Sequence, residues 1–173
     1  MKVQSLEDAL IEELRDLLSA EQQLTKALPR LSKQCEWAEL RAALEFHLEE
    51  TRGQAHRVKA CMEALGVRVR AKKCEAMAGL IAERDELAEV DAPPAIKDVL
   101  LCAAAQKIEH YEMASYECAI GWAGQVGNSE ILRALRANLK QEQVASDNLR
   151  RLAQILNTMV ADEVERMALM ADG

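Results

Sequence analysis

Proline and glycine are scarce, at three and seven in 173 residues. The chain therefore has few places to turn, and its elements must be long. Aromatic residues make up only 3% of it. β-Branched residues are sparse as well, leaving little with which to build a sheet. A basic excess is also missing. The formal charge is -7, a poor match for nucleic acid or an anionic membrane surface as partner. No run of about 18 apolar residues occurs, and the opening Met1-Lys2-Val3-Gln4-Ser5 has no apolar leader segment. The expected compartment is the cytoplasm. Cys35, Cys61, Cys74, Cys102 and Cys118 are odd in number, scattered, and without a C-x-x-C pair. They read as reduced, mostly buried small hydrophobes. No Gly-rich phosphate loop, G-x-S-x-G elbow or nucleophilic Cys/His arrangement is present.

What the chain does have is Ala, Leu, Glu, Arg and Gln, all good helix formers, in a composition that is half apolar. The length suits one domain, residues 1–173, with a sizeable core. Ser5-Leu6-Glu7-Asp8 resembles a capping box and opens a helix over about 5–34, with Pro29 expected to kink its last turns. A second helix is expected over about 37–65, ending at Gly66. Residues 67–93 break the pattern, with a basic extended piece and then one short helical stretch. Pro93-Pro94 stops that segment and starts a third long helix, about 94–126. Gly127-Asn128-Ser129 turns the chain, Ser129 is placed to cap, and the fourth long helix covers about 129–167. Short first and last connections make two antiparallel hairpins, and the long middle one is a crossover running the length of the bundle.

The apolar stripes carry the functional signal. The first helix gives Leu10, Leu14, Leu17, Glu21, Leu24, Leu28 and Leu31 at alternating spacings of four and three, a core seam with one polar member. The second gives Leu40, Leu44, His47, Thr51, Gln54, Val58, Cys61 and Leu65, with Glu50 one turn from His47. The third gives Val99, Cys102, Gln106, Glu109, Met113, Tyr116, Ile120 and Ala123, and Glu112 shares a face with Glu109. The fourth gives Leu135, Leu139, Glu142, Ser146, Leu149, Ala153 and Leu156.

Depth matters as much as facing. Glu21, Glu50, Glu109 and Glu142 lie roughly 12–16 residues into their helices, about 20 Å along the axis. In helices of similar length they should meet in one layer at mid-height. Burying several uncompensated carboxylates costs several kcal/mol each, and no Lys or Arg occupies the stripes at that level. Two divalent cations held by bridging and terminal carboxylates would neutralise them. For any one helix taken alone, a boundary acid with its head in water explains the same residue.

Ser19-Ala20-Glu21-Gln22-Gln23-Leu24, His47-Leu48-Glu49-Glu50-Thr51 and the run from Ala103 through Gln106, Glu109 and His110 to Glu112 together resemble the YciE/YciF-type bacterial ferritin-like family. So does Lys73-Cys74-Glu75-Ala76-Met77-Ala78-Gly79-Leu80-Ile81 in the crossover. The resemblance spans nearly the whole chain. It implies an all-α, ferritin-like four-helix bundle with one long crossover carrying a short extra helix, related to rubrerythrins, usually a homodimer and linked to stress responses. It also implies metal ligands at Glu21, Glu50, Glu109, Glu112 and Glu142, with His47 either a nitrogen ligand or a core histidine.

The departures are specific. Di-iron bundles place Glu-x-x-His on two helices, but Glu50 is followed at the third position by Gly53 and Glu142 by Ala145. Where relatives tend to carry an acid, Ser146 stands, with Asp147 one residue later. Gln54, Tyr116 and Asp147 are the candidates for supporting contacts. Tyr116 could instead be an ordinary core tyrosine. His56 lies off the seam and is expected at the surface; His110, one residue off it, is expected either at the surface or in a supporting contact. An oxygen-rich site of this kind suits Fe(II) or Mn(II), with Zn, Mg or Ca as adventitious occupants. Three readings stay open: a di-metal, foremost di-iron, protein of iron oxidation or peroxide handling; a metal-free or metal-vestigial helical dimer acting as a structural or interaction module; and, behind both, storage as a large ferritin shell. Met159, Met167 and Met170 are expected to extend past the bundle.

Overall fold

The computed structural model describes residues 2–171 and, among them, five helices and no strand: α1 Leu6–Gln34, α2 Ala38–Ala64, α3 Glu75–Ala88, α4 Pro94–Val126 and α5 Ser129–Ala171. The two chain ends of the expected 1–173 domain, Met1 and residues 172–173, lie outside the described residues. The four long helices stand where the apolar periodicity placed them. Helix α5 runs four residues further than expected.

Helix α1 packs on α2 and α4, and α5 packs on the same two, so the four helices form a square with α1 and α5 on one diagonal. The first turns of α1 (Leu10, Leu14) share a cluster with the last turns of α2 (Val58, Cys61, Met62) and α4 (Ala119, Ala123), and with the start of α5 (Ile131, Leu135). The opposite end gathers Leu28 and Leu31, Leu40 and Leu44, Leu101 and Cys102, and Leu149, Leu152 and Leu156. Neighbouring helices are therefore antiparallel, and the chain from α2 to α4 must climb the full height. It does so against α1. Lys72 N–H donates to the Arg15 carbonyl at 3.0 Å. The Ser19 hydroxyl accepts the Cys74 N–H at 2.9 Å, and Gln23 donates to the Cys74 carbonyl at 3.0 Å. Cys74 then caps α3, which lies on α4.

The helix ends show the local chemistry. Ser5 and Asp8 form a reciprocal capping box at 3.0 and 3.1 Å, with Asp in the role more often taken by Glu. Gly66 and Gly127 take the left-handed backbone that ends α2 and α4. The cap of α5 is a correction: the Asn128 carboxamide oxygen, not Ser129, accepts the N–H groups of Glu130 and Ile131, both at 3.1 Å. The left-handed turn at Gly127 sets Asn128, one residue earlier, at the capping position. Pro29 is accommodated inside α1, which continues as one helix to Gln34.

The α1–α2 corner has no cap of its own, since Trp37 offers no side-chain acceptor. Asp98 of α4 supplies one across the fold. Its buried carboxylate accepts the N–H groups of Glu36 at 3.1 Å and Trp37 at 2.7 Å. Asp98→Ala orphans both donors and should cost about 1–3 kcal/mol, the range for stranding buried polar groups. Urea unfolding measures this. A loss within experimental error would show that the corner holds without it.

Four cysteines are buried, Cys118 is exposed, and all are free thiols. His56 and His110 are exposed, as their positions off the seam require. No described helix is long and apolar enough to cross a membrane. Beyond Leu156, α5 leaves the core and exposes Met159, Val164, Leu169 and Met170. The side chain of Met167 lies outside the described residues.

Candidate metal centre

The two apolar clusters are separated by a polar layer. Glu21 from α1, His47, Thr51 and Gln54 from α2, Glu109, Glu112 and Tyr116 from α4, and Asn138, Glu142 and Ser146 from α5 are all buried, several completely. All four long helices contribute, at mid-height. One ligand atom each from His47, Glu109, Glu112 and Glu142 lies within 4.8 Å of the other three. That is close to the span of donors around one cation at metal–ligand distances of about 2.0–2.2 Å. His47 sits among acids: Nε2 is 3.3 Å from Glu109 and 3.7 Å from Glu142, and Nδ1 is 3.6 Å from Glu50. Glu50 is the outermost member, with 16% of its side chain exposed.

Glu21 is the best-supported acid. Tyr116 donates its hydroxyl proton to Glu21 Oε1. Asn138 in turn donates to the Tyr116 oxygen at 2.8 Å, and its own carbonyl oxygen accepts from Arg57. This chain fixes the Asn138 amide, hence the direction of the tyrosine hydrogen bond, hence the rotamer of Glu21. The rest of the layer lacks such support. Glu21 Oε2, Glu109 Oε2, both oxygens of Glu112 and of Glu142, and both nitrogens of His47 have no hydrogen-bond partner. Buried polar groups in native proteins are rarely left so. A carboxylate-rich set with one imidazole suits Fe(II), Mn(II) or Zn(II), and a cation in their midst would satisfy atoms that face one another without hydrogen bonds.

The electrostatics agree. Burial raises the Glu21 carboxyl to about 8, against the opposing pull of the Tyr116 hydrogen bond and His47. Burial, and then the neighbouring carboxylates, hold Glu112 and Glu142 well above the ordinary range. Burial raises Glu109 too, with His47 opposing. For His47 burial works toward the neutral form, but Glu109, Glu50 and Glu21 outweigh it and the net shift is upward. Burial thus favours the protonated form of these acids, and a cation among them would favour the ionised form.

Of the residues expected from the sequence, Glu21, His47, Glu109, Glu112, Glu142, Gln54 and Tyr116 are gathered in the layer, with Glu50 at its edge. Asp147 is not. It is exposed and pairs with Arg150 at 2.8 Å. One residue past the buried Ser146 is about 100° around the helix, which carries its carboxylate out of the bundle. The buried face of α4 is also broader than the expected seam, taking in Ile108, Glu112, Ser115 and Ala119 while Gln106 and Met113 lie partly exposed. Asn138 and Arg57 were not anticipated. Asn138 lies one turn before Glu142 on the same face, a visible signal. Its pairing with Arg57 spans 81 residues of sequence and leaves none. The buried Arg84 was also unforeseen, but it pairs with Asp85 at 2.6 Å and Gln34 at 3.2 Å and does not neutralise the acids.

Known proteins extend these observations. Protein YciF of Escherichia coli K12 is 38% identical over 154 residues, 88% of this chain and 93% of that protein. The crystal structure of the same E. coli stress protein superposes with a TM-score of 0.87 at 37% identity, covering 90% of this chain and 99% of that one. YcfI of Rhodopseudomonas palustris gives 0.83 at 40% identity over 86% and 95% of the two chains. A dodecameric thioferritin, the bacterioferritin-related protein of Bacteroides fragilis, matches at 0.66 and 18% identity over 92% and 90%. At that identity the likeness shows the fold alone, and it makes this bundle ferritin-like. Residues 5–164 match the model of the family described as Domain of unknown function (DUF892), and the chain belongs to that family.

Proposed function

We propose that this chain is a non-haem di-metal carboxylate protein that binds two divalent ions, iron first and Mn or Zn as alternatives. In this reading it oxidises Fe(II) with O₂ or peroxide under stress. The carrying observation is the layer of partnerless buried acids, from four helices, between two apolar cores. His47, Glu109, Glu112 and Glu142 hold one cation. Glu21, anchored through Tyr116, and Glu50 at the edge are the further acids that would serve a second. When bound, iron supplies the electrons. The protein supplies ligands that lose protons as metal enters, a closed site, and a fixed Glu21. A stress role is consistent with the description of YciF as a stress protein. We take the working form to be a cytoplasmic homodimer, with the exposed apolar end of α5 available for pairing.

Metal analysis of protein purified without chelator, followed by anaerobic Fe(II) titration and exposure to O₂, tests the reading. Uptake should saturate at about two Fe(II) per chain, and oxygen should bring up the absorption of a carboxylate-bridged diferric unit. The competing reading is a metal-free helical dimer serving as an interaction module. The missing Glu-x-x-His pairs at Glu50 and Glu142 favour it, and absence of stoichiometric uptake would sink the di-metal reading in its favour.

A further inference from the structure

A cleft of about 230 Å³ opens between α2 and α5 and ends on His47, Glu50 and Glu109. Its walls are mostly apolar, formed by Leu44, Ala145 and Leu149 with Asn148 as the polar exception, and its rim carries Phe46 and Val144. Phe46 is 66% exposed and Val144 50%. Apolar side chains of that size left to water beside a cavity mark a place where apolar surface is received. The base is the opposite. His47 is 5% exposed, yet neither ring nitrogen has a hydrogen-bond partner, nor has Glu109 Oε2.

O₂ and H₂O₂ do not account for such a cleft. Each is close in size to water, whose share of liquid volume is about 30 Å³, and H₂O₂ gains nothing from apolar walls. The geometry points to a small amphiphile with an apolar body for the walls and a neutral hydroxyl-type head for the base. A hydroxyl-type head can donate as well as accept, which suits a base that offers both imidazole nitrogens and a carboxylate oxygen without hydrogen-bond partners. Taken with the metal reading above, on which this rests, we infer that the oxidant is an organic hydroperoxide, ROOH, entering through the α2–α5 cleft with R against Leu44 and Leu149. The balance closes. The O–O bond breaks, two electrons come from two ferrous ions that become ferric, two protons are taken up, and the products are ROH and water.

The probe is 2-phenyl-2-propanol, the alcohol product of cumene hydroperoxide, titrated calorimetrically into metal-free and Mn(II)-loaded protein. Saturable binding to the loaded chain is expected. It should be lost in Ala145→Phe, which fills the cleft, while Mn(II) uptake is unchanged. Val144→Trp, at the exposed rim where folding is not at stake, should give the same selective loss. In anaerobic single-turnover oxidation of the ferrous protein, these variants should slow cumene hydroperoxide by roughly tenfold or more, the scale on which apolar pockets discriminate. The rate with H₂O₂ should be unmoved. Failure of the alcohol to bind the loaded wild-type chain, or equal slowing of both peroxides, overturns the cleft assignment. Failure of metal uptake overturns the metal reading and the reduction with it.

Discussion

Stripped of metal, the protein should lose stability as the pH rises from about 5 to about 8, by an amount on the order of several kcal/mol. The unfolded chain releases the Glu21 proton near the ordinary value of 4.5, whereas the folded chain holds it until about 8. Across that window the folded state binds more protons than the unfolded one, so every step up in pH favours unfolding. A raised carboxyl thus confers an advantage that is whole below the unfolded value and gone above the folded one, at about 1.4 kcal/mol per unit of difference. Glu109, Glu112 and Glu142 shift the same way. His47 adds to the effect, because its upward shift is likewise stability lost as the pH climbs past its ordinary range. Urea midpoints at pH 5, 6.5 and 8 in chelator measure the slope. With Mn(II) present the slope should flatten or reverse, because each proton lost frees a ligand. A metal-free slope that is level or rising would mean that the acids are not held protonated by burial.

That expectation depends on a layer whose membership was largely readable before any coordinates. The four-and-three rhythm of α1 has one interruption, Glu21, and a lone carboxylate in such a seam must lie at the depth its position gives it. Counting residues from the helix starts was enough to bring Glu21, Glu109 and Glu142 together, because 1.5 Å per residue leaves little freedom in helices of similar length. The helix ends at Gly66 and Gly127 were readable for an equally local reason. What escaped was set by contacts between residues far apart in the chain. Asp98 caps a corner some 60 residues before it. Asn138 holds Tyr116 only because Arg57, on another helix, fixes its amide. Asp147 failed for a different reason. A single residue of register separates a core position from an exposed one, and the buried stripe at that level passes through Ser146. The cleft between α2 and α5 was likewise illegible, since nothing in the pattern marks where two apolar stripes fail to close.

The same partnerless oxygens make Glu112→Met a variant with two opposite effects. Neither oxygen of Glu112 has a donor, the residue is fully buried, and its neighbours Glu21 and Glu109 disfavour its charge. Methionine keeps much of the shape and carries nothing that needs a partner. The metal-free variant should therefore be more stable than the parent by about 1–3 kcal/mol, the usual penalty for a stranded polar group. Metal should act in the other direction. Bound ion at about 100 times its dissociation constant adds about 2.7 kcal/mol to the parent chain, and loss of one of the two α4 ligands should remove most of that gain from the variant. Unfolding with chelator and with Mn(II) reads both effects, and the pair separates the two functional readings. A structural bundle with a vestigial layer would show the first effect in the variant and no metal-induced gain in the parent. A di-metal protein would show the gain in the parent and its loss in the variant. Destabilisation of the metal-free variant would overturn the claim that the Glu112 carboxyl is stranded in the metal-free fold.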